Sequence, residues 1–261
     1  METTIYDRIG ERYARHRHAD PRIVDTIIEL LELPSGSAIA VVGAGTGNYS
    51  RALAKRGYAV KAIEPSNVMR SQAETAKRIE WSPGTAESIP LPTGSVAAAM
   101  GIFSFHHFHD PVVGLAEMAR VSSGGTVLLF TFDPREAGDF WFSDYFPDIW
   151  RSAFSAFPPI VEVPKMISTS TKSVATIHSF ELPQNLVDSF AAAGWCKPEI
   201  YLDASIRSCM SAFSLADANI VAHGVRVLAK DLMSGLWDKK YGHLRSLNSL
   251  DVGYRFVKST M

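Results

Sequence analysis

Three glycines spaced two residues apart, Gly43, Gly45 and Gly47, follow the apolar run 38–42 and precede a helix-like segment. This order predicts a strand, a tight turn and a helix. Glycine lets the backbone bend sharply and lets a ligand approach without a Cβ in the way. The start of the helix adds N–H groups that point toward the ligand. The glycine turn, residues 43–47, is therefore a candidate binding site.

An acidic residue, Glu64, follows the next predicted strand, residues 60–63, and lies 21 positions after Gly43. At the end of the second strand of a nucleotide-binding βαβ unit, a carboxylate accepts hydrogen bonds from ribose hydroxyls, and one carboxylate can accept from both hydroxyls of a diol. The glycine turn and Glu64 together predict a nucleoside ligand, without specifying which one. A NAD-dependent dehydrogenase is disfavoured, because the spacing G-x-G-x-G differs from the dinucleotide fingerprint G-x-G-x-x-G.

Two adjacent histidines, His106 and His107, follow a predicted strand at 96–102. Histidine titrates near neutral pH and can remove a proton from a hydroxyl group, so both are candidate catalytic bases. The alternative is that the pair only shapes a pocket. A metal site that also used His109 and Asp110 is disfavoured because adjacent side chains diverge, and we predict no metal.

The elements that must position these residues alternate regularly along the first half of the chain. A helix is predicted to begin at Pro21, with Asp20 as its N-terminal cap. Predicted strands then lie near 38–42, 59–63, 96–102 and 126–132, and predicted helices near 48–56, 66–77 and 111–121. This alternation is typical of an α/β fold with a doubly wound, mostly parallel sheet. In such a sheet, ligands bind outside the carboxyl ends of the strands, where the glycine turn, Glu64 and the two histidines all fall.

After residue 133 the alternation stops. Residues 140–157 hold eight aromatic side chains in eighteen positions, too many to be explained by a sheet. We interpret 134–180 as an aromatic-rich helical lid inserted over the cleft; the alternative, core packing against the sheet, is compatible with it. Residues 1–133 then form N-terminal cap helices and the ligand-binding core, and 181–261 complete the core sheet. In that last segment we expect a helix to Ala193, a strand near 197–205, a helix near 215–236 and a final strand near 253–258.

The composition limits the classes of function. The chain has 261 residues and a formal net charge of −1, so it has no basic field to hold a nucleic acid, and a small-molecule substrate is expected instead. Its two cysteines, Cys196 and Cys209, lack the spacing of a zinc site or a disulfide framework. The first residues lack the apolar core of a signal peptide, and no apolar run is long enough for a membrane span. We expect a cytoplasmic protein without membrane contact, either a monomer or a homodimer.

Five short motifs, in order between residues 36 and 132, resemble those of the class I S-adenosylmethionine-dependent methyltransferases, specifically the group that acts on small molecules. They are V-G-A-G-T-G at 42–47, I-E-P-S at 63–66 followed by Met69, G-T-A-E-S-I-P at 84–90, F-H-H-F at 105–108, and E-M-A-R-V at 117–121 before two glycines. Each motif alone is weak, but the ordered set is specific. The resemblance implies a seven-stranded Rossmann-like sheet whose last two strands form an antiparallel pair at one edge.

The resemblance also implies a cofactor, S-adenosyl-L-methionine, and the residues that hold it. Glu64 would bind the ribose, Met69 would pack on the adenine, and the third motif would flank the adenine edge. Tyr13 and Arg17 match a Y-x-x-x-R pattern that closes over the cofactor in some members, and Arg17 would pair with the cofactor's carboxylate; the alternative is a solvated, charged helix face. The full set implied is Tyr13, Arg17, Gly43, Ala44, Gly45, Gly47, Glu64, Pro65, Ser66, Met69, Thr85, Ala86, Glu87 and Gly101.

The chain departs from the family pattern at three places. Val41 occupies the position, two residues before Gly43, where the family has an acid that helps to hold the methionine end of the cofactor; Arg17 would partly compensate. Thr85 replaces the acid of the third motif, and the loop at 120–125 is one residue shorter. We predict a methyltransferase acting on a small, apolar or aromatic molecule. The alternatives are an S-adenosylmethionine-binding enzyme of this fold that does not transfer methyl, and a non-catalytic S-adenosylmethionine-binding protein.

Overall fold

The computed structural model of the chain describes residues 17–74, 76–138 and 140–260. The strands in these ranges are β1 (Ala38–Val42), β2 (Ala59–Ile63), β3 (Ile79–Ser82), β4 (Ala98–Ile102), β5 (Thr126–Phe132), β6 (Val174–Ser179), β7 (Leu182–Pro183), β8 (Ser249–Leu250) and β9 (Tyr254–Thr260). The α-helices are α1 (Pro21–Leu31), α2 (Asn48–Lys55), α3 (Asn67–Ser71), α4 (Pro111–Val121), α5 (Phe142–Tyr145), α6 (Pro147–Ala156), α7 (Val163–Thr171), α8 (Ala204–Ser208), α9 (Ser211–Leu215), α10 (Ala218–Met233) and α11 (Leu236–Tyr241). Within the described ranges, no helix is long and apolar enough to cross a membrane.

A single large sheet has the strand order β3-β2-β1-β4-β5-β9-β6. Strands β1 to β5 pair in parallel, whereas β9 runs antiparallel between β5 and β6. Strand β5 is buried at every residue, as expected for a parallel sheet covered on both faces. The strand order reverses between β1 and β4, and the crevice that this opens lies at the carboxyl ends of these two strands. The predicted doubly wound, mostly parallel seven-stranded sheet is confirmed.

Aspartate caps fix where two of the helices begin. Asp20 accepts a hydrogen bond from the main-chain N–H of Arg22 at 3.0 Å, and Pro21 is the first residue of α1, as predicted. Asp110 caps α4 in the same way, accepting from the N–H of Val112 at 3.0 Å. Helix α4 therefore begins directly after the loop that holds the two histidines.

Two predicted elements of the C-terminal part are wrong. Residues 182–193 do not form a helix, since Leu182–Pro183 is strand β7, which pairs with β8. The strand expected near 197–205 is instead a 3₁₀ segment followed by α8. The Tyr201 hydroxyl donates to the main-chain oxygen of Ala191 at 2.6 Å and accepts from the N–H of Gly194 at 3.1 Å. These bonds close the backbone into a compact loop, which an extended strand could not form.

Strand β6 comes from within the segment that we interpreted as a lid, 134–180. It pairs antiparallel with β9, with His178 opposite Phe256. Its residues are exposed or half-buried, as expected at the edge of a sheet, so no buried apolar run marks the strand in the sequence. The division of the chain at residues 133 and 180 remains a prediction.

Most aromatic side chains of residues 140–157 pack in a core between helices. Trp141 and Phe146 are each 1% exposed. The indole N–H of Trp141 donates to the main-chain oxygen of Trp195 at 2.7 Å, and its ring meets that of Trp237 edge-on, with 5.6 Å between centroids. Packing between helices therefore accounts for these rings.

Candidate functional site

The glycine turn connects the end of β1 to the start of α2. Gly43, Gly45 and Gly47 have φ angles of +70°, +58° and +80°, in the left-handed region that glycine adopts without steric cost. The N–H groups of Gly43 and Ala44 both donate to the main-chain oxygen of Ile63, at 2.9 and 3.0 Å. The turn is thereby attached to the carboxyl end of β2, and its backbone conformation requires the glycine spacing seen in the sequence.

Glu64 is hydrogen-bonded to the same turn. Its Oε2 accepts from the N–H of Gly45 at 2.8 Å, and its Oε1 accepts from the N–H of Ser66 at 2.9 Å. The residue is buried, and these charge-assisted bonds fix the orientation of its carboxylate. A carboxylate offers about four acceptor positions, two of which the main chain occupies here. The structure therefore brings the acid and the glycine turn together into one unit.

Helix α3 places Met69 beside the turn. Ser66 caps this helix, its hydroxyl oxygen accepting from the N–H of Met69 at 3.2 Å. Met69 is buried, and a Cβ added to Gly45 would lie 3.5 Å from its Cε. Pro65, just before the cap, is exposed. The second motif therefore lines one side of the glycine turn.

The third motif is attached to the start of α4. The Glu87 carboxylate accepts from the N–H groups of His109 and Asp110, at 2.7 and 3.3 Å. Ala86 is buried, whereas Thr85 is exposed. Through these hydrogen bonds Glu87 anchors the loop after β4, a role that needs no bound ligand.

Gly101 and Ser104 allow β4 and its loop to pack closely against the turn. A Cβ added to Gly101 would lie 3.1 Å from the Ser104 hydroxyl oxygen, and one added to Gly43 would lie 2.5 Å from the Ser104 Cβ. The Ser104 hydroxyl donates to the main-chain oxygen of Val42 at 2.7 Å. Ser104 was not predicted as a site residue, because a lone serine carries no signal in the sequence.

The rings of the two histidines are in contact at the carboxyl end of β4. Their centroids are 3.8 Å apart with the planes tilted by 47°, and the centroid of Phe157 lies 4.2 Å from that of His106. The His106 Nδ1 is buried and has no hydrogen-bond partner among the described residues. Phe157 in turn meets Phe132 edge-on at 5.2 Å. The residue at the end of α6 therefore brings an aromatic ring against His106.

Burial lowers the pKa of both histidines. The pKa of His106 is well below its ordinary value because of burial and, second, the proximity of His107. Burial lowers the pKa of His107 to about 4, although water reaches its side chain. Both rings are neutral at neutral pH, and in the described ranges no three His, Cys, Asp or Glu side chains are grouped to hold a metal.

Arg17 forms a buried ion pair with Asp188, 171 positions away in the chain. Its Nε donates to Asp188 Oδ1 at 2.5 Å, and a terminal nitrogen donates to Oδ2 at 3.2 Å. The hydroxyl of Tyr49 also donates to Oδ2, at 3.0 Å. Asp188 was not predicted, since no spacing in the sequence relates it to Arg17. Tyr13, the other member of the predicted N-terminal pair, lies outside the described residues.

Phe103 links this ion pair to the end of β4. Its φ of +55° is unusual for a bulky residue, and such strain is often found at functional sites. Its ring packs 4.8 Å from Phe190 and 5.8 Å from Tyr254, and the Arg17 guanidinium carbon lies 5.6 Å from the ring centroid. The sequence analysis did not predict Phe103 as a site residue, because a single aromatic residue after a strand is usually part of the hydrophobic core.

The fifth motif holds the third one in place. Arg120 donates to both carboxylate oxygens of Glu117, at 2.6 and 2.8 Å, and to the main-chain oxygens of Ile89 and Leu91 at 3.0 and 2.9 Å. Glu117 also accepts from the N–H of Ile89 at 3.0 Å. The pair on α4 therefore fixes the loop that follows Glu87.

Comparison with known proteins agrees with this arrangement. Residues 40–130 match the family described as "Methyltransferase domain". A crystal structure of a putative methyltransferase from an antibiotic biosynthesis pathway of Anabaena variabilis is 44% identical, with a TM-score of 0.92, over 95% of this chain and 100% of that one. An uncharacterized methyltransferase of Mycobacterium tuberculosis is 26% identical over 191 residues, which are 72% of this chain and 76% of its own length.

A more distant structure shares the fold. It is phosphoethanolamine N-methyltransferase 2 of Haemonchus contortus in complex with S-adenosyl-L-methionine. The TM-score is 0.56 at 14% identity, over 98% of this chain and 55% of that one. At this identity the likeness concerns the architecture of the sheet and its crevice.

Proposed function

The chain belongs to the class I S-adenosylmethionine-dependent methyltransferases, and from this premise we propose that it methylates a small, apolar or aromatic molecule at the carboxyl ends of β1 and β4. S-adenosyl-L-methionine is its cofactor. The observation that carries the proposed acceptor class is the contact between His106 and Phe157, 4.2 Å between ring centroids. This contact would give the acceptor side an aromatic ring next to a neutral imidazole, which suits a planar apolar molecule.

The described residues fit the nucleoside part of the cofactor. The backbone at Gly45 turns toward a carboxylate, Glu64, which is oriented by two main-chain N–H groups, and a Cβ at Gly45 would extend toward Met69. We assign Glu64 to the ribose hydroxyls, because a fixed carboxylate accepts from both hydroxyls of a diol. The turn would lie against the methionine part of the cofactor through Gly43, Ala44, Gly45 and Gly47. The adenine side would be lined by Pro65, Ser66, Met69, Thr85 and Ala86. We assign Glu87 and Gly101 to the loops that support these residues.

The protein's share of the chemistry is alignment and exclusion of water. When bound, S-adenosyl-L-methionine supplies a methyl carbon activated by its sulfonium sulfur. The acceptor atom must then be held in line with that carbon. His107, with a pKa of about 4, is a weak proton acceptor at neutral pH. We therefore assign His106 and His107 to the wall of the acceptor pocket in preference to the role of general base.

The aromatic segment supports this assignment of the acceptor side. Phe157 reaches His106 from the end of α6 and packs against Phe132, with 5.2 Å between ring centroids, and Phe132 in turn lies 5.9 Å from Trp150. We propose that the segment 134–180 serves as the lid of the acceptor pocket through this end of α6, while its other rings pack in the helical core. Water would be excluded on closing of the apolar wall.

Calorimetry with S-adenosylhomocysteine tests the cofactor assignment. Glu64→Gln keeps the shape of the side chain but removes its charge, and should weaken binding about tenfold or more. Glu80→Gln is the matched control, because Glu80 is an exposed acid on the neighbouring strand β3. Equal affinities for the wild type and Glu64→Gln would contradict the ribose assignment.

Transfer of labelled methyl from S-adenosylmethionine tests the acceptor class. A panel of planar aromatic and aliphatic molecules, matched in size, should be labelled selectively in its aromatic members. Labelling confined to charged aliphatic molecules would contradict the proposal.

The cellular setting is also part of the proposal. The side chains of Cys196 and Cys209 are both buried, which suits a reducing compartment. We propose a cytoplasmic enzyme, monomer or homodimer, whose partner is the small-molecule acceptor and not a nucleic acid, in keeping with the net charge of −1.

A further inference from the structure

The amino-acid end of S-adenosylmethionine carries an ammonium and a carboxylate group. A site that binds a carboxylate in a partly buried place uses a cation with fixed geometry, and arginine is suited to this because it presents its N–H groups in a rigid fork. Strand β1 offers no charge for this end of the cofactor, because Val41 is apolar and 2% exposed. The charge must then come from another part of the chain.

A buried charged cluster lies on one side of the glycine turn. Arg17 and Asp188 are 7% and 1% exposed. The Asp188 carboxylate accepts from Arg17 at 2.5 and 3.2 Å, from the Tyr49 hydroxyl at 3.0 Å and from the main-chain N–H of His18 at 3.3 Å. Burial and the charge of Asp188 raise the pKa of Tyr49, so its hydroxyl keeps the proton that it donates. Asp188 is thus held from three directions and in turn fixes the plane of the Arg17 guanidinium.

Contacts of its main chain and of its side chain place Arg17 close to the turn. The main-chain oxygen of Arg17 accepts from the Asn48 side chain at 2.8 Å, and Asn48 is the first residue of α2, directly after the turn. On the other side, the guanidinium carbon lies 5.6 Å from the centroid of Phe103. The next residue, Ser104, packs against Gly43. Arg17 therefore lies between the start of α2 and the end of β4, the two elements that flank the glycine turn.

We propose that Asp188 is a positioning residue for the amino-acid end of the cofactor: it orients Arg17, with the help of Tyr49, toward the cofactor's carboxylate. The amino-acid end would thus be held through its carboxylate by Arg17, since β1 has Val41 in place of an acid. The proposal rests on the proposed function, since it concerns the same cofactor site.

Two ligands that differ only in the amino-acid end separate this role from a purely structural one. S-adenosylhomocysteine has that end, and 5′-methylthioadenosine shares the nucleoside and the thioether but lacks it. Asp188→Asn should weaken binding of S-adenosylhomocysteine about tenfold or more, measured by calorimetry, and leave 5′-methylthioadenosine within about twofold of the wild type. Tyr49→Phe should also weaken binding of S-adenosylhomocysteine more than that of 5′-methylthioadenosine, but by a smaller factor. Because this variant keeps the aromatic ring, it remains informative if Asp188→Asn does not fold.

Asp20→Asn is the matched control. Asp20 is a second buried carboxylate that joins the segment before α1 to the segment around residue 188. It accepts from the N–H of Val187 at 3.0 Å and pairs with Arg22 at 2.6 Å. Any loss through general loosening of these segments should appear in this variant and affect both ligands alike.

The outcomes distinguish a failure of the Asp188 proposal from a failure of the proposed cofactor site. If the wild type binds both ligands and Asp188→Asn weakens both equally, or neither, Asp188 does not position the amino-acid end. If Arg17→Gln is selective for S-adenosylhomocysteine but Asp188→Asn is not, Arg17 acts without Asp188 and the proposal also fails. If the wild type binds neither ligand, the cofactor site itself is wrongly assigned.

Discussion

The carboxylate of Glu64 accepts a hydrogen bond from the main-chain N–H of Gly45 at 2.8 Å, across 19 positions of the chain. This bond joins the end of β2 to the turn that follows β1. Because the carboxylate is held by the backbone of the turn, a change in the turn's conformation also displaces the acid. The stability of the turn and the affinity for the cofactor are therefore expected to change together.

Substitution of Gly43 tests how closely the turn is packed. Gly43→Ala would force alanine to a φ of +70° and place its Cβ 2.5 Å from that of Ser104. We expect a loss of about 2–4 kcal/mol in the free energy of unfolding, and weaker binding of S-adenosylhomocysteine. Gly124→Ala is the control: its φ is +77°, but no atom lies within 4 Å of the added Cβ. This variant should lose only about 1–2 kcal/mol. Equal losses in urea unfolding would show that the contact with Ser104 does not matter.

Removal of one aromatic ring tests the acceptor pocket. Phe157→Ala removes the ring that covers His106 and should lower kcat/KM for the acceptor by about tenfold, with little change in S-adenosylhomocysteine affinity. Phe154→Ala, on the same helix but with 39% of Phe154 exposed, should have a small effect on both quantities. If the two variants have the same kcat/KM, Phe157 does not line the acceptor pocket.

The histidines predict a dependence of stability on pH. The pKa of His107 in the folded protein is about 4, below the ordinary value of 6.5, so the unfolded chain binds more protons between these two values. The free energy of unfolding should therefore decrease as the pH falls from 6.5 toward 4. His107→Asn should lessen this decrease, as measured by urea unfolding across that interval. An NMR titration in which the His107 ring protonates near its ordinary pKa would contradict the prediction.

The ion pair between Glu117 and Arg120 on α4 should also make the stability depend on pH, in the acidic range. Hydrogen bonding to Arg120 lowers the pKa of Glu117 from its ordinary 4.5. The stability that this pair contributes is present above the ordinary pKa and lost as the pH falls through the lowered one. Glu117→Gln should reduce the free energy of unfolding by about 1–2 kcal/mol at neutral pH. The exposed Glu162→Gln serves as control, and equal unfolding midpoints for the two variants would indicate that the loop after Glu87 is held by other contacts.

Short-range sequence patterns were sufficient for the core of the sheet and for the turn. Strands β1, β4 and β5 are nearly continuous apolar runs because both faces of the sheet are covered there, whereas β2 and β3 carry Lys61 and Glu80. The glycines of the turn can be recognised in the same way, because the positive φ at Gly43, Gly45 and Gly47 restricts which residue type these positions accept. Glu64 follows from its place at the end of the next run. These features depend on neighbours a few residues away, so the sequence carries them.

The sequence did not reveal features that depend on distant partners. Strand β6 lies at an edge, where no continuous apolar run is needed, and the segment 197–205 is shaped by the hydrogen bonds of Tyr201 rather than by its own propensity. Asp188 meets Arg17 across 171 positions, and no local spacing encodes such a pair.

The sequence by itself therefore determined the doubly wound sheet and the places of the glycine turn and Glu64 in it, because strand burial and positive φ constrain residue types locally. Only the tertiary structure decided that the pKa values of the histidines are lowered, that Phe157 contacts His106 and that Asp188 holds Arg17. Burial, ring packing and ion pairing between distant segments arise only when the chain has folded.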